Sequence, residues 1–518
     1  MPLALLAGCG NGGRPIASSE DALTLAVRAD VTGFFPNPPF TNEAYSNQVN
    51  SNIFEGLVSH DASFALQPAL ADRWENPDDR TYRLRLRAGL RFSDGRPVTT
   101  ADVVASLLAP GRRRWATRVY LQAIESVRAL EDRWIEIRTR SPDLVLLAKL
   151  PWGFVLPAEA AIAGNAKAVG TGPYRLRSWT PGREFVLEAN PHFRGPPPAF
   201  PRARFVVVPD EERRIERVLR GQADVADQVT GASAEKLSGR DDIRVIVRQG
   251  MRVMFLVLRA DAPPFADPRV RKAVALALDR RALVRRALGG SGQAASELVS
   301  PMVAGYNPGI VPDRCDRERA RKLLAEAGYP RGLDLRLDGT NNRYPKDVEL
   351  LAEVARQLGA AGIRVSVNVL DKRAFFPLID SGVSRFHLLG YACEAGDAGD
   401  ALDQLAHSPL GDSLGGFNSG ALRDQELDGL IDAGNGSATN LERTRYLQEA
   451  LQRLSELNVY VPLVIPDEVM VVSRRIVWDP PLDFALRPSD MRPARPGDTK
   501  RRDRTVSPAG ERGGPGAP

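Results

Sequence analysis

The side chains that most often bind metals or act as general bases are few in this chain, and they are scattered. The four histidines, His60, His192, His387 and His407, have no i,i+4 spacing and no neighbouring cysteine. They therefore form no zinc-type ligand pattern, and no metal or cofactor is expected. The three cysteines, Cys9, Cys315 and Cys393, match neither a disulfide framework nor a metal motif. Cys315 and Cys393 could pair only in an oxidising compartment. A hydrolase would need a Ser-His-acid set or a paired-carboxylate site, and histidines this dispersed argue against the first. No catalytic residue is assigned.

Composition narrows the classes further. A chain of 518 residues exceeds one ordinary core, so two or three domains are expected. Lys and Arg number 70 against 64 Asp and Glu, a net charge of +6. The basic residues are nearly all Arg and lie among acids, with no basic stripe interleaved with aromatics, which excludes a nucleic-acid-binding role. No run approaches the ~20 apolar residues needed to span a bilayer.

The elements that must position any site can be read locally. Tyr82, Leu84 and Leu86 alternate with Arg83, Arg85 and Arg87, the period of a strand with one buried face. Asp94-Gly95 is a hairpin-type turn signal, and Thr99 with Asp102 forms a capping box. Asp210 is an N-cap for a helix with Ile215, Val218 and Leu219 on one face and Gly221 at its stop. Asp267-Pro268 opens another, with Val270, Val274, Ala277 and Leu278 as its apolar stripe. Asp316 to Pro330 reads as a helix stopped by Gly328, "ELLAEVARQLGAAGIRVSV" as helix, Gly and strand, and Asn440 opens a last helix carrying Leu447, Leu451 and Leu454. Strands alternating with helices imply mixed α/β lobes. From about Asp498 onward, Arg, Gly, Pro and Ser dominate, and a disordered tail is expected.

Several runs resemble one family. Glu55-Gly56-Leu57-Val58, Pro68-Ala69-Leu70-Ala71-Asp72-Arg73-Trp74 and the Phe92 to Val103 run "FSDGRPVTTADV" are similar to the signature of extracytoplasmic solute-binding proteins of ABC importers, family 5, which takes up oligopeptides, dipeptides and nickel. Gly170-Thr171-Gly172-Pro173-Tyr174, Asn190-Pro191 and Gly221-Gln222-Ala223-Asp224-Val225 continue the likeness. The signature identifies architecture and not contact residues. The resemblance implies an α/β, two-lobed periplasmic-binding-protein-like fold (type II, class C) with an accessory domain and two crossing segments. By the family layout, lobe I would hold about 14–45, 165–257 and 475–497, the accessory domain 46–164, and lobe II 258–474, with 1–13 a signal and tether and 498–518 a tail.

The resemblance also implies a role: a monomer that is not an enzyme, closing on a peptide by a hinge and delivering it to permease and ATPase subunits. A nickel chelate or an oligosaccharide as solute, or a sensory role, are the alternatives. Leu6-Ala7-Gly8-Cys9 resembles a lipobox, so Cys9 is expected to carry lipid and hold the protein outside the cytoplasm, in the periplasm or at the cell surface. Only eight residues precede Cys9 and none is Lys or Arg, so a start further upstream is expected to supply the signal.

The family commonly has a Gly-Trp-x-x-Asp-Tyr-x-Asp-Pro run whose carboxylate meets the ligand amine. Here Gly390-Tyr391-Ala392-Cys393-Glu394-Ala395-Gly396-Asp397-Ala398 stands in its place, with Tyr391 at the Trp position and Glu394 at the Asp position. One of Glu394, Asp397 or Asp400 is expected to hold an α-amine, Asp397 being favoured because it matches the pattern at its own position. Further ligand contacts are expected from Phe34, Phe35 and Asn37 after the first strand, from Asn341, Asn342 and Arg343 at the edge of the second lobe, and from Phe417 and Asn418.

Overall fold

In the computed structural model the described residues are 22–35, 44–62, 64–113, 117–163, 168–410 and 414–498. Cys9, the 1–13 segment, Asn37 and the tail beyond Asp498 lie outside them. A single strand, Tyr460–Ser473, organises the molecule. Its first half pairs antiparallel with Val253–Leu258 and Gly292–Ala294, and its second half pairs with Ile243–Gln249 and Val225–Ala226. Two half-sheets therefore share one strand. One continues through Phe386–Tyr391, Leu333–Thr340 and Ile363–Leu370, the other through Ala22–Val27, Arg202–Val207, Glu184–Ala189 and Tyr174–Thr180.

The handover falls where Gln249 pairs with Asp467 and Met254 with Val464. The two crossing segments are thus 250–252 and 465–466. The expected edges at 257 and 474 lie further along the chain, at the ends of strands that each sit wholly or partly in the neighbouring half. The reason is physical: "YVPLVIPDEVMVVS" is one uninterrupted strand with no local signal at the point where it changes partners.

Val253–Leu258 is buried at every position. Met254, Leu256 and Leu258 enter one core with Val270, Val274 and Leu351, while Val253, Phe255 and Val257 enter another with Leu447 and Leu451. A strand covered on both faces reads as a continuous apolar run. The half-sheet through Ala22–Val27, the first half of the molecule, is likewise covered on both faces, and its larger core is continuous with the four-stranded antiparallel sheet of Ala71–Asp78, Thr81–Leu86, Trp134–Thr139 and Ile124–Ala129; the half-sheet through Phe386–Tyr391 is the second.

The local readings appear as expected. Tyr82, Leu84 and Leu86 are buried. In the capping box, Thr99 N donates to Asp102 Oδ2 at 2.7 Å and Asp102 N to Thr99 Oγ1 at 3.3 Å, opening the helix Thr100–Arg113. Asp210, Asp267 and Asp316 each accept a backbone N–H at the start of Glu211–Leu219, Pro268–Leu276 and Arg317–Glu326. The last helix is Asn440–Leu457, capped by Thr439. Cys315 and Cys393 are both free thiols.

The motif glycines serve close packing. A Cβ on Gly170 would run into the Ile53 carbonyl oxygen, and one on Gly172 would meet the Asn52 carbonyl at 2.7 Å. Gly170→Ala should lower stability by about 1–3 kcal/mol through this overlap. Gly359→Ala, in an open position near the end of Asp347–Ala360, should be neutral or stabilising by up to ~1 kcal/mol. Denaturant midpoints of the two variants check the contrast.

Candidate functional site

A cavity opens where the two half-sheets meet. Both crossing regions line it, through Met251 and Arg252 on one side and Glu468 and Met470 on the other. The first half adds Tyr45, Gln48, Trp152 and Asp227, and the second adds Arg343, Cys393 and Glu394. Such a cleft, apolar and aromatic with a few charged groups, is the usual form of a small-molecule site.

Four acids line it, Asp227, Glu394, Glu468 and Asp483, the last held by Arg487 at 2.7 Å, and they face the guanidiniums of Arg252 and Arg343. Burial pushes the Asp227 carboxyl up to about 6, against the opposing pull of Arg214. Burial also raises Glu468 and Glu394, and lowers Arg252, which Arg343 lowers further. Arg252 and Arg343 both lie over the Tyr344 ring, at 5.7 and 5.0 Å from its centroid. Positive charge from the second half therefore faces carboxylates contributed by both.

The structure separates the three acids that the sequence leaves equivalent. Asp397 is held by Arg443, with Nη2 to Oδ1 at 2.6 Å and Nε to Oδ2 at 3.1 Å, and also caps Ala398–Ala401 through Gly399 N. Both of its oxygens are occupied inside the protein, so the favoured amine partner is a structural residue. Asp400 accepts from the Tyr391 hydroxyl at 3.2 Å, and burial pushes its carboxyl up to about 7 despite the Lys149 ammonium. Glu394 is different. Its Oε2 accepts from Tyr120 Oη at 3.0 Å and from Asn47 Nδ2 at 3.2 Å, while its Oε1 is buried with no hydrogen-bond partner among the described residues. Of the three, only Glu394 lines the cavity.

Other expected contacts move elsewhere. Phe34 packs edge-on against Trp179 and Phe185, and Phe35 against Phe54 and Phe154, so both belong to the core. Asn342 donates to Asp371 Oδ2 and accepts from Lys372 N, fixing the start of Lys372–Asp380. Asn341 is exposed, and its carbonyl faces Arg28 Nη2 at 3.5 Å. Asn418 donates to the His407 and Leu422 carbonyls and accepts from Leu422 N, which staples its own loop. Phe417 is exposed, away from the cavity lining. Arg343 alone of that group lines the cavity.

Sequence reasoning missed Arg252, Asp227 and Glu468. A charged residue inside the apolar runs "GMRVMFLVL" and "VIPDEVMVV" was the available signal. Gly411-Asp412-Ser413-Leu414-Gly415 has Gly-x-Ser-x-Gly spacing, but a nucleophile elbow joins a strand to a helix. Gly411, Asp412 and Ser413 lie outside the described residues, and the next helix along the chain begins only at Gln425. Among the described residues, no three His, Cys, Asp or Glu side chains converge to hold a metal, and no helix is long and apolar enough to cross a membrane.

Comparison with known proteins places this geometry. Residues 65–410 match the family described as bacterial extracellular solute-binding proteins, family 5 Middle. The glutathione-binding protein GsiB of Escherichia coli (strain K12) is 26% identical over 512 residues, covering 94% of this chain and 96% of that one. The structure of AgaA in complex with agropinic acid superposes with a TM-score of 0.82 at 23% identity, over 92% of this chain and 99% of that one. The periplasmic binding protein DppA from Helicobacter pylori, associated with an ABC transporter and bound to the peptide STSA, gives 0.82 at 21% identity, over 91% and 98%.

Two outcomes follow for the buried acids. Asp397→Ala should destabilise the fold by about 3–5 kcal/mol, because Arg443 is left buried without its carboxylate; denaturant unfolding measures this. Asp400→Asn should act through pH. The unfolded chain releases this proton near 3.8, whereas the folded chain holds it to about 7. Wild-type stability therefore falls as pH rises across that window, and the variant is spared the loss. Its advantage should grow by a few kcal/mol between about pH 4 and 7 and then level off. A constant difference from pH 4 to 8 would contradict the assignment.

Proposed function

The chain belongs to family 5 of the bacterial extracellular solute-binding proteins, components of ABC importers and not enzymes, and from that premise we propose that its solute is a small amine-bearing zwitterion, a short peptide above all. The observation that carries the reading is Glu394: a buried carboxylate in the interlobe cavity with one oxygen unpartnered. An ammonium is the group that such an oxygen accepts best. The guanidiniums of Arg252 and Arg343 supply the complementary partners for a carboxylate on the same molecule.

The two-lobed architecture supports closure of the halves around this cavity by hinge motion at 250–252 and 465–466. The glutathione named for one relative and the peptide bound by another are both zwitterions with a free amine, which fits the same pair of charges. Within this reading the protein is a lipid-anchored monomer tethered through Cys9, and it delivers its solute to a permease.

Glutathione and trialanine, each with a free and an N-acetylated amine, test the reading by calorimetry. Wild type should prefer the free amine by about 2 kcal/mol or more, and Glu394→Gln should lose most of that preference. Acetylating the amine should then add little to the loss already caused by the substitution, the non-additivity of a direct pairing. Equal binding of free and acetylated forms by wild type would overturn the amine reading and favour a solute of another class.

A further inference from the structure

Glu394 faces two ways, and its second direction is not explained by ligand binding. Tyr120 and Asn47 belong to the first half of the molecule: Tyr120 packs in its larger core, and Asn47 lies on the helix Ala44–Asn50, whose Val49 enters the same core. Glu394 lies in the second half, between Cys393 of its core and the cap of Ala398–Ala401. The two hydrogen bonds to Oε2 therefore cross the cleft. All three side chains are more than nine-tenths buried, with Tyr120 at 5%, Asn47 at 1% and Glu394 at 8% exposure. Arg28 also reaches across, to Asp347 at 3.8 Å and to the Asn341 carbonyl at 3.5 Å, but it stays partly exposed.

We propose that Glu394 is the positioning residue that couples occupancy of the cavity to closure of the lobes: Oε1 receives the cationic group of the solute while Oε2 holds Tyr120 and Asn47 across the cleft. This rests on the amine reading for Oε1 but adds a separate claim about Oε2. A carboxylate is a stronger acceptor than a carboxylic acid. Burial alone favours the neutral acid at this position. A solute ammonium at Oε1 keeps the group ionised and so strengthens both bonds at Oε2. Tyr120 does not line the cavity, so its hydroxyl acts on closure without touching the solute. Its ring stays packed near Trp152, at 5.9 Å between centroids, when the hydroxyl alone is removed.

Two substitutions separate the roles. Tyr120→Phe deletes a cross-cleft donor and leaves the Glu394 charge in place. Glu394→Gln removes the charge but keeps an amide oxygen that accepts across the cleft. Affinity for glutathione and trialanine, free and N-acetylated, is measured together with hydrogen exchange of backbone amides in the ligand-free and probe-saturated protein. Tyr120→Phe should raise Kd for the free-amine probes about tenfold and raise it less for the acetylated ones, so that the free-to-acetylated ratio narrows without being abolished. It should also speed exchange at residues 393–400, on the far side of the cleft, as well as at 118–121. Glu394→Gln should abolish the ratio while keeping 393–400 nearer to wild-type protection. If Tyr120→Phe speeds exchange only at 118–121 and leaves Kd unchanged, the coupling is refuted while the amine reading stands. If wild type shows no free-amine preference for either probe, the amine reading fails, and the exchange at 393–400 in the ligand-free variant alone decides whether Oε2 is a closure contact.

Discussion

Four carboxylates within ten residues, Glu394, Asp397, Asp400 and Asp403, are all buried where the two halves of the molecule meet. A buried charge must be paired or neutralised, and that requirement orders everything around the cavity. Arg443 neutralises Asp397. Lys149, brought from the first half with its partner Asp143, sets a positive charge near Asp403 and Asp400. Asp400 takes the Tyr391 hydroxyl, and Asn435 donates to Asp403 at 2.7 Å. Glu394 is left with neutral donors on one oxygen and nothing on the other. The unsatisfied group is the one at the cavity wall.

The scaffold that imposes this arrangement is a pair of half-sheets sharing one strand. Gly250 shows how close the crossing segments run, since a Cβ there would meet the Pro466 carbonyl oxygen. Arg252 and Glu468 stand just beyond that point on the two crossing strands, so any rotation of one half against the other passes through residues that line the cavity. The C-terminal segment closes the first half: Arg475 grips Asp224 with two 2.6 Å contacts, and Asp224 in turn accepts from Thr24 N. Asp224, the acid of the Gly221 to Val225 run, is therefore a tie between chain segments and not a ligand group.

Local signals were legible because their causes are local. The alternation of Tyr82, Leu84 and Leu86, the box of Thr99 and Asp102, and the caps at Asp210, Asp267 and Asp316 depend on neighbours within a few residues. The site was legible only as a segment. Three acids spaced three apart look alike until a partner 46 residues away claims one of them. Arg443 gave a signal of its own, since it sits four residues before Leu447 on the buried stripe of its helix and so demanded a buried anion. Lys149 in "LVLLAKLPW" carried the same message. Phe34 and Phe35 read as cleft aromatics beside a strand, but their partners Trp179, Phe185 and Phe154 come from more than 100 residues later, and only tertiary packing reveals them as core.

The central claim is that the cavity between the lobes holds a small zwitterion by its amine. Native mass spectrometry of the protein purified from its own host tests it most directly. The account predicts a bound species of a few hundred daltons that is released on denaturation and carries a free primary amine together with a carboxylate. A bound species that lacks an amine, such as a neutral oligosaccharide, would contradict it.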